Sequence, residues 1–176
     1  SDIYTVFFPD MRSVRLETDK SVTKVKVQWY NISSDVVSSY NFEKTDDKWM
    51  LTSIVEHPID VDADNGFIGF YMKFTSDKAY RMNHIAETII YDGIDPDYTD
   101  EFDMKMVKNK KINISQWDET LIPDLPDTQF SNIDFGQNLE GDGRVVSVES
   151  PSSGFGSRLH FHKESGKWLL YKVENL

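Results

Sequence analysis

The residues whose side chains could best take part in binding or catalysis lie on and near one predicted helix. Tyr80 and His84 are four positions apart, so both side chains project from the same side of an α-helix. With Tyr91, Asp92 and Trp117 they could line a pocket, where a histidine titrating near neutral pH can act as a general base. In the simpler interpretation, Tyr80 is a core residue and His84 is partly exposed. We therefore take Tyr80, His84, Tyr91 and Trp117 as candidate pocket residues and assign no catalytic residue.

An acidic segment before that helix is similar to the start of a calcium loop. Asp60, Asp62 and Asp64 alternate along the chain, and such carboxylates can converge on one hard cation. An EF-hand loop needs glycine at position six and a bidentate glutamate at position twelve, where this chain has Asn65 and Tyr71. An acidic linker with a helix N-cap explains the same residues. We predict no metal site and leave calcium binding by the three aspartates open.

Two histidines near the C-terminal end have a spacing that also occurs in zinc sites. His160 and His162 are two residues apart on a predicted strand, so their side chains share one face. The sequence offers no third ligand, and the alternating Leu159 and Phe161 are predicted to face the core. The pair is therefore predicted to belong to an outward polar face.

Composition limits the classes of function. The chain has 176 residues, 39% of them hydrophobic, which is enough apolar material for a folded core. A formal charge of −11 argues against binding to nucleic-acid phosphates or to anionic lipid. The absence of cysteine excludes disulfides and thiolate chemistry. No apolar stretch approaches the roughly 20 residues of a transmembrane helix.

Two ten-residue segments, 42–51 and 161–170, have closely similar sequences at an offset of 119 residues. The identical residues are Phe42 and Phe161, Lys44 and Lys163, Lys48 and Lys167, Trp49 and Trp168, and Leu51 and Leu170. This offset exceeds a solenoid period of roughly 20–50 residues. It predicts a partial repeat over 1–57, which supplies only a sheet, and a complete unit over 58–176. Both tryptophans are predicted to be core anchors of equivalent hairpins.

Hydrophobic periodicity predicts strands towards both ends of the chain and helices between them. The predicted strands span 23–29, 36–44, 48–55, 102–107, 128–135, 143–150, 154–163 and 167–174. The predicted helices span 66–74 and 77–90. Asp46-Asp47 and Ser165-Gly166 are predicted hairpin turns.

Helices followed by a bent antiparallel sheet that ends in a tryptophan hairpin resemble the nuclear transport factor 2-like superfamily. The motifs that carry this resemblance are Phe67-Ile-Gly-Phe70 and Ser76-Asp-Lys-Ala-Tyr80. More narrowly, the chain is similar to an uncharacterised bacterial exported family of that fold. The resemblance implies an α+β protein with helices packed on a strongly curved antiparallel sheet. The partial repeat is expected to add an N-terminal antiparallel sheet.

The missing catalytic motifs and the resemblance together favour a non-enzymatic module that binds a small molecule or a protein partner. The chain is expected to be exported to the periplasm or cell surface, to need no cofactor and to form a homodimer through sheet faces. The alternative is a small-molecule enzyme of the isomerase, dehydratase or hydrolase type that uses the cone pocket. If Phe67, Phe70, Phe74 and Trp168 fill the cone, only surface binding remains.

Overall fold

The computed structural model describes residues 2–98, 100 and 102–176. Across these residues, ten strands and two short α-helices form the fold. The strands are β1 (Tyr4–Phe8), β2 (Lys24–Asn31), β3 (Val36–Thr45), β4 (Lys48–Pro58), β5 (Ile85–Ile94), β6 (Met106–Asn113), β7 (Gln129–Asp134), β8 (Gly143–Ser150), β9 (Phe155–Glu164) and β10 (Lys167–Asn175). The helices are α1 (Phe67–Ser76) and α2 (Lys78–Met82). Over the described ranges, no helix is both long enough and apolar enough to cross a bilayer.

All ten strands belong to one sheet, in the order β4-β3-β2-β7-β1-β8-β9-β10-β5-β6. The prediction of a purely antiparallel sheet is wrong, because β1 pairs with β7, and β5 with β10, in parallel. Short turns force the hairpins to be antiparallel, but they place no such constraint on strands that are distant in sequence. The N-terminal strands also form no separate sheet, because β2 pairs with β7. The division into repeats at residue 57 stays a prediction.

Helix α1 packs its aromatic side chains onto one face of the sheet, which we call the inner face. The Phe67 ring lies 5.1 Å from the Trp168 ring and 5.5 Å from the Phe161 ring, measured between centroids. Phe74 approaches Phe161 at 5.2 Å, and Phe70 is also buried in this cluster. Aromatic side chains therefore fill the space between helix and sheet.

The opposite, outer face is covered only in its middle. A 3-10 helix, Met11–Glu17, packs over a small cluster of Val6, Phe8 and Val145. Strands β2, β3 and β4, here called the wing, extend beyond this cover. Every residue of β4 is exposed.

The prediction that Trp49 is a core anchor is wrong. Side chains alternate between faces along a strand, and Val27 pairs with Ile133 of the outer cluster. Val25 shares the face of Val27, and it pairs with Phe42 on β3. Phe42 in turn pairs with Leu51, so Leu51 and Trp49 project from the outer face of the wing. No described element packs over that part of the face.

The predicted helix over 77–90 is also wrong beyond its first turn. Helix α2 ends at Met82, and β5 begins at Ile85. The buried Ile85 and Ile89 are four apart and so imitate helical spacing, whereas the run of Thr88 to Tyr91 is β-branched and aromatic. This segment forms a strand because it pairs with both β10 and β6. The strand predicted over 102–107 begins later, at Met106.

Candidate functional site

A cavity of about 470 Å³ opens between α1, α2 and the turn that joins β9 to β10. We call it the α1–β10 cavity. It is lined by Val61, Asp62, Gly66, Gly69, Phe70, Met72, Lys73, Tyr80, His84, Lys163, Gly166, Lys167 and Trp168.

One wall is the linker that precedes α1. The Gly69 N–H donates to the Val61 carbonyl at 3.0 Å. A Cβ at position 69 would lie 2.7 Å from that carbonyl oxygen, closer than any real Cβ approaches. Glycine at position 69 thus permits the linker to pack directly on the helix, which places Val61 and Asp62 at the cavity.

A second wall is α2, which is held in place at both ends. Asp77 caps the helix by accepting a hydrogen bond from the Tyr80 N–H at 3.0 Å. Arg81 donates to the Phe74 carbonyl at 2.6 Å and pairs with Glu119 at 3.1 Å. These contacts fix the backbone that carries Tyr80 and leads to His84.

Tyr80 and His84 form a stacked pair at the cavity. Their ring centroids are 3.9 Å apart with an interplanar angle of 21°. His84 Nδ1 lies 2.7 Å from the Tyr80 carbonyl, and because a carbonyl can only accept, Nδ1 carries the hydrogen. Burial lowers the pKa of His84, and the charges of Lys167 and Lys73 lower it further. The lowered pKa favours the neutral form of His84, and no described residue donates a hydrogen bond to its Nε2.

The third wall is the β9–β10 turn, in which Ser165 and Gly166 both have positive φ. The turn places Lys163 opposite Trp168. The Trp168 indole N–H donates to the Asn65 carbonyl at 3.3 Å, and Lys163 Nζ donates to the same carbonyl at 3.2 Å. The turn is thereby tied to the linker on the far side of the cavity.

The lining carries an excess of positive charge in an acidic chain. Three lysines and one aspartate contribute to it, although the whole chain has a formal charge of −11. Lys163 is committed to Asn65, whereas Lys73 and Lys167 are exposed and make no ion pair with any described carboxylate. The Lys73 ammonium lies 5.7 Å from the centre of the Tyr80 ring.

The structure brings together two of the four candidate pocket residues predicted from sequence. Tyr80 and His84 line the α1–β10 cavity, but Tyr91 lines a different cavity of about 430 Å³, and Asn175 donates to its hydroxyl at 3.3 Å. The Trp117 indole donates to Glu119 at 3.3 Å, and Trp117 is not among the lining residues of either cavity.

Sequence reasoning missed the lysine and aromatic residues that complete the lining. The sequence pattern predicts Phe70 and Trp168 as core residues, and it predicts no site for Lys73 or Lys167. Helical spacing could have placed Lys73 on the same side as Phe70, one turn along α1. The contribution of Lys167 depends on how the β9–β10 turn approaches the linker, which no local pattern encodes.

A buried arginine holds the backbone of the acidic linker. The Arg144 guanidinium is 1% exposed and donates to the carbonyls of Asp64, Leu139, Gly141 and Gly143. Burial raises the pKa of Asp64. Over the part of the chain that the structure describes, no group of three or more histidine, cysteine or acidic residues could hold a metal ion.

Comparison with known proteins defines the class and then the family. The crystal structure of an NTF2-like protein from Bacteroides fragilis NCTC 9343 matches with a TM-score of 0.79 and 28% identity, covering 99% of this chain and 74% of that one. The fold is thus nuclear transport factor 2-like, as the helix motifs predicted. The chain belongs to the family described as Domain of unknown function (DUF4348), whose model matches residues 1–175. A search of curated proteins finds no match.

Proposed function

We propose that this protein is a non-enzymatic binding module and that the α1–β10 cavity takes a small molecule. One contrast carries the proposal: the interior of the cone is filled by aromatic rings, whereas the cavity beside it is open and has an aromatic wall. A volume of about 470 Å³ lies within the usual range for small-molecule sites.

The contacts of His84 favour binding over catalysis. The alternative enzyme, of the isomerase, dehydratase or hydrolase type, would use the free Nε2 of His84 as a general base. In known triads a carboxylate orients the histidine base, whereas here the Tyr80 carbonyl accepts from Nδ1. Asp62 lines the same cavity, but no hydrogen bond or ion pair joins it to His84 among the described residues.

The proposal is tested by filling the cavity. Val61 lines it and is 49% exposed, so Val61→Trp should fill the space without disturbing the core. Val55→Trp on β4 is the matched control, because Val55 is 48% exposed and lies outside the cavity. The probes are indole, naphthalene-2-carboxylate and naphthalene-2-carboxamide, added to ¹⁵N-labelled protein.

Binding of at least one probe should shift the Trp168 indole N–H signal in the wild type and in Val55→Trp. The same shift should be lost in Val61→Trp. If no probe shifts that signal in the folded wild type, or if filling the cavity leaves the shift unchanged, the cavity is not the binding site.

The bare outer face of the wing favours a second proposal, a homodimer through sheet faces. Trp49, Leu51 and Ile54 are large exposed apolar side chains, and such patches mark association surfaces. Ile54→Glu should then reduce the molar mass measured by light scattering from that of a dimer to that of a monomer. A wild-type chain that is monomeric at high concentration contradicts this proposal. Export stays a prediction.

A further inference from the structure

We infer, on the basis of the proposed small-molecule site, that its ligand is a planar organic anion whose charged group lies between Lys73 and Lys167. The ring of the ligand would then lie against the aromatic wall formed by Tyr80, Phe70 and Trp168.

The charges of the cavity indicate an anion. Lys73 lines it from α1 and Lys167 from the start of β10, so two lysines on separate elements border the same cavity. His84 lines the same cavity as both lysines, and the Lys73 ammonium lies 5.7 Å from the centre of the Tyr80 ring beside it. The other lysine, Lys163, is held by Asn65, and the lining contains one carboxylate, Asp62. Two available ammonium groups therefore face one opposing charge.

The aromatic residues indicate a flat ligand. The Tyr80 and His84 rings stack at 3.9 Å, and Phe70 lies 5.5 Å from His84 and 6.4 Å from Trp168. Trp168 and Phe70 are largely buried but still line the cavity. Aromatic side chains at the wall of a cavity favour contact with planar groups, and the nearby lysines complement an acidic substituent on the same molecule.

Two glycines keep the entrance open. Gly66 lines the cavity from the linker and Gly166 from the turn, with φ values of +75° and +77°. Nothing lies within 4 Å of the place where a Cβ would be built at either position. The positive φ selects glycine at both positions, and the missing side chains leave room for a ligand between the linker and the turn.

The inference is tested with two probes of closely similar shape, one charged and one neutral. Naphthalene-2-carboxylate should bind at least about 10-fold more tightly than naphthalene-2-carboxamide, measured by the shift of the Trp168 indole N–H signal. Lys73→Met and Lys167→Met should each weaken the carboxylate roughly 5-fold, as expected for a partly exposed ion pair. Each should leave the carboxamide unchanged. Lys48→Met is the matched control, since Lys48 occupies the position of Lys167 in the repeated hairpin.

The outcomes separate this inference from the proposed function. If the two naphthalene probes bind with equal affinity, or if neither lysine variant weakens binding of the carboxylate, the ligand is not selected for its negative charge. The proposal of small-molecule binding would then remain. If orthophosphate binds at the same site as tightly as naphthalene-2-carboxylate does, the ligand need not be planar, and that part of the inference is overturned. Failure of both naphthalene probes and of indole overturns the site itself. A rise in the pKa of His84 on adding the carboxylate, followed by NMR, would support a negative charge beside the imidazole.

Discussion

Trp49 and Trp168 lie in hairpins that share five of ten residues, yet only one of the two is buried. Locally the two hairpins agree: the Lys44 ammonium lies 5.9 Å from the Trp49 ring, and that of Lys163 lies 5.9 Å from the Trp168 ring. Trp49 is nevertheless 45% exposed, while Trp168 is 4% exposed. The repeated residues therefore specify a lysine–tryptophan contact across a hairpin, and the rest of the fold decides whether it is covered.

The difference comes from the opposite faces of the sheet that the two hairpins use. Trp168 projects from the inner face, where the rings of Phe67 and Phe70 and the guanidinium of Arg144 lie against it. Trp49 projects from the outer face of the wing, beyond the reach of the 3-10 helix. The covered hairpin thereby becomes one wall of a cavity, and the uncovered one remains an exposed apolar surface.

The largest expected difference between the hairpins is in the cost of removing each indole. Trp168→Ala should lower the free energy of unfolding by about 3–5 kcal/mol, because it empties a packed aromatic site. Trp49→Ala should lower it by less than about 1 kcal/mol, because its side chain is half exposed. Urea unfolding of both variants measures the contrast. Equal losses would show that the wing is covered in solution.

Removing the cation beside each ring should show the same contrast, with a larger loss of stability at Trp168 than at Trp49. Arg144→Met should cost about 3 kcal/mol, because it leaves buried carbonyls of the linker and of the β7–β8 connection without donors. Lys44→Met, which removes the cation over Trp49, should cost under about 0.5 kcal/mol. The same unfolding experiment measures both. A loss below about 1 kcal/mol for Arg144→Met would mean that the guanidinium does not hold the linker.

Much of the wing and of the C-terminal sheet could be predicted from sequence, because alternation and turn residues are local signals. Such local signals predict the strands β2 to β4 and β7 to β10, and helical spacing predicts α1. The fate of Ile85 to Ile94 could not be predicted, since its partner β10 lies more than 70 residues away. Tyr80 and His84 share one short segment, so a local pattern is enough to place them near each other. Lys167 reaches them only through the tertiary fold.

A smaller difference should appear as a dependence on pH. His160 is buried beside Glu174, whereas Asn41, at the equivalent position of the wing, is half-buried and does not titrate. Burial lowers the pKa of His160 below its usual 6.5, despite the opposing effect of Glu174. Folding therefore disfavours its protonation, and stability should be complete above pH 6.5 and fall as the pH drops through the lowered pKa.

His160→Gln should reduce that loss of stability on acidification, measured as the change in urea midpoint between pH 7.5 and pH 5. Asn41→His, which places a histidine in the wing instead, should add little pH dependence. An unchanged acid sensitivity in His160→Gln would contradict the assignment.

The smallest expected effects are in the two turns. Asp46 and Asp47 both have positive φ, as do Ser165 and Gly166, but only the second turn has glycine. Asp47→Gly should stabilise the chain by about 0.5 kcal/mol by relieving a left-handed backbone, and Gly166→Asp should destabilise it by a similar amount. Thermal unfolding measures both. Effects of the same sign would mean that the turns differ in type.

One titration compares the two repeated indoles and tests directly whether the α1–β10 cavity is the binding site. The signals of Trp49 and Trp168 are assigned with Trp49→Phe and Trp168→Phe, and naphthalene-2-carboxylate is added to the labelled wild type. We expect a saturable shift of the Trp168 indole N–H signal and no shift of the Trp49 signal. A shift of the Trp49 signal with the Trp168 signal unmoved would place binding on the wing and contradict the proposed site.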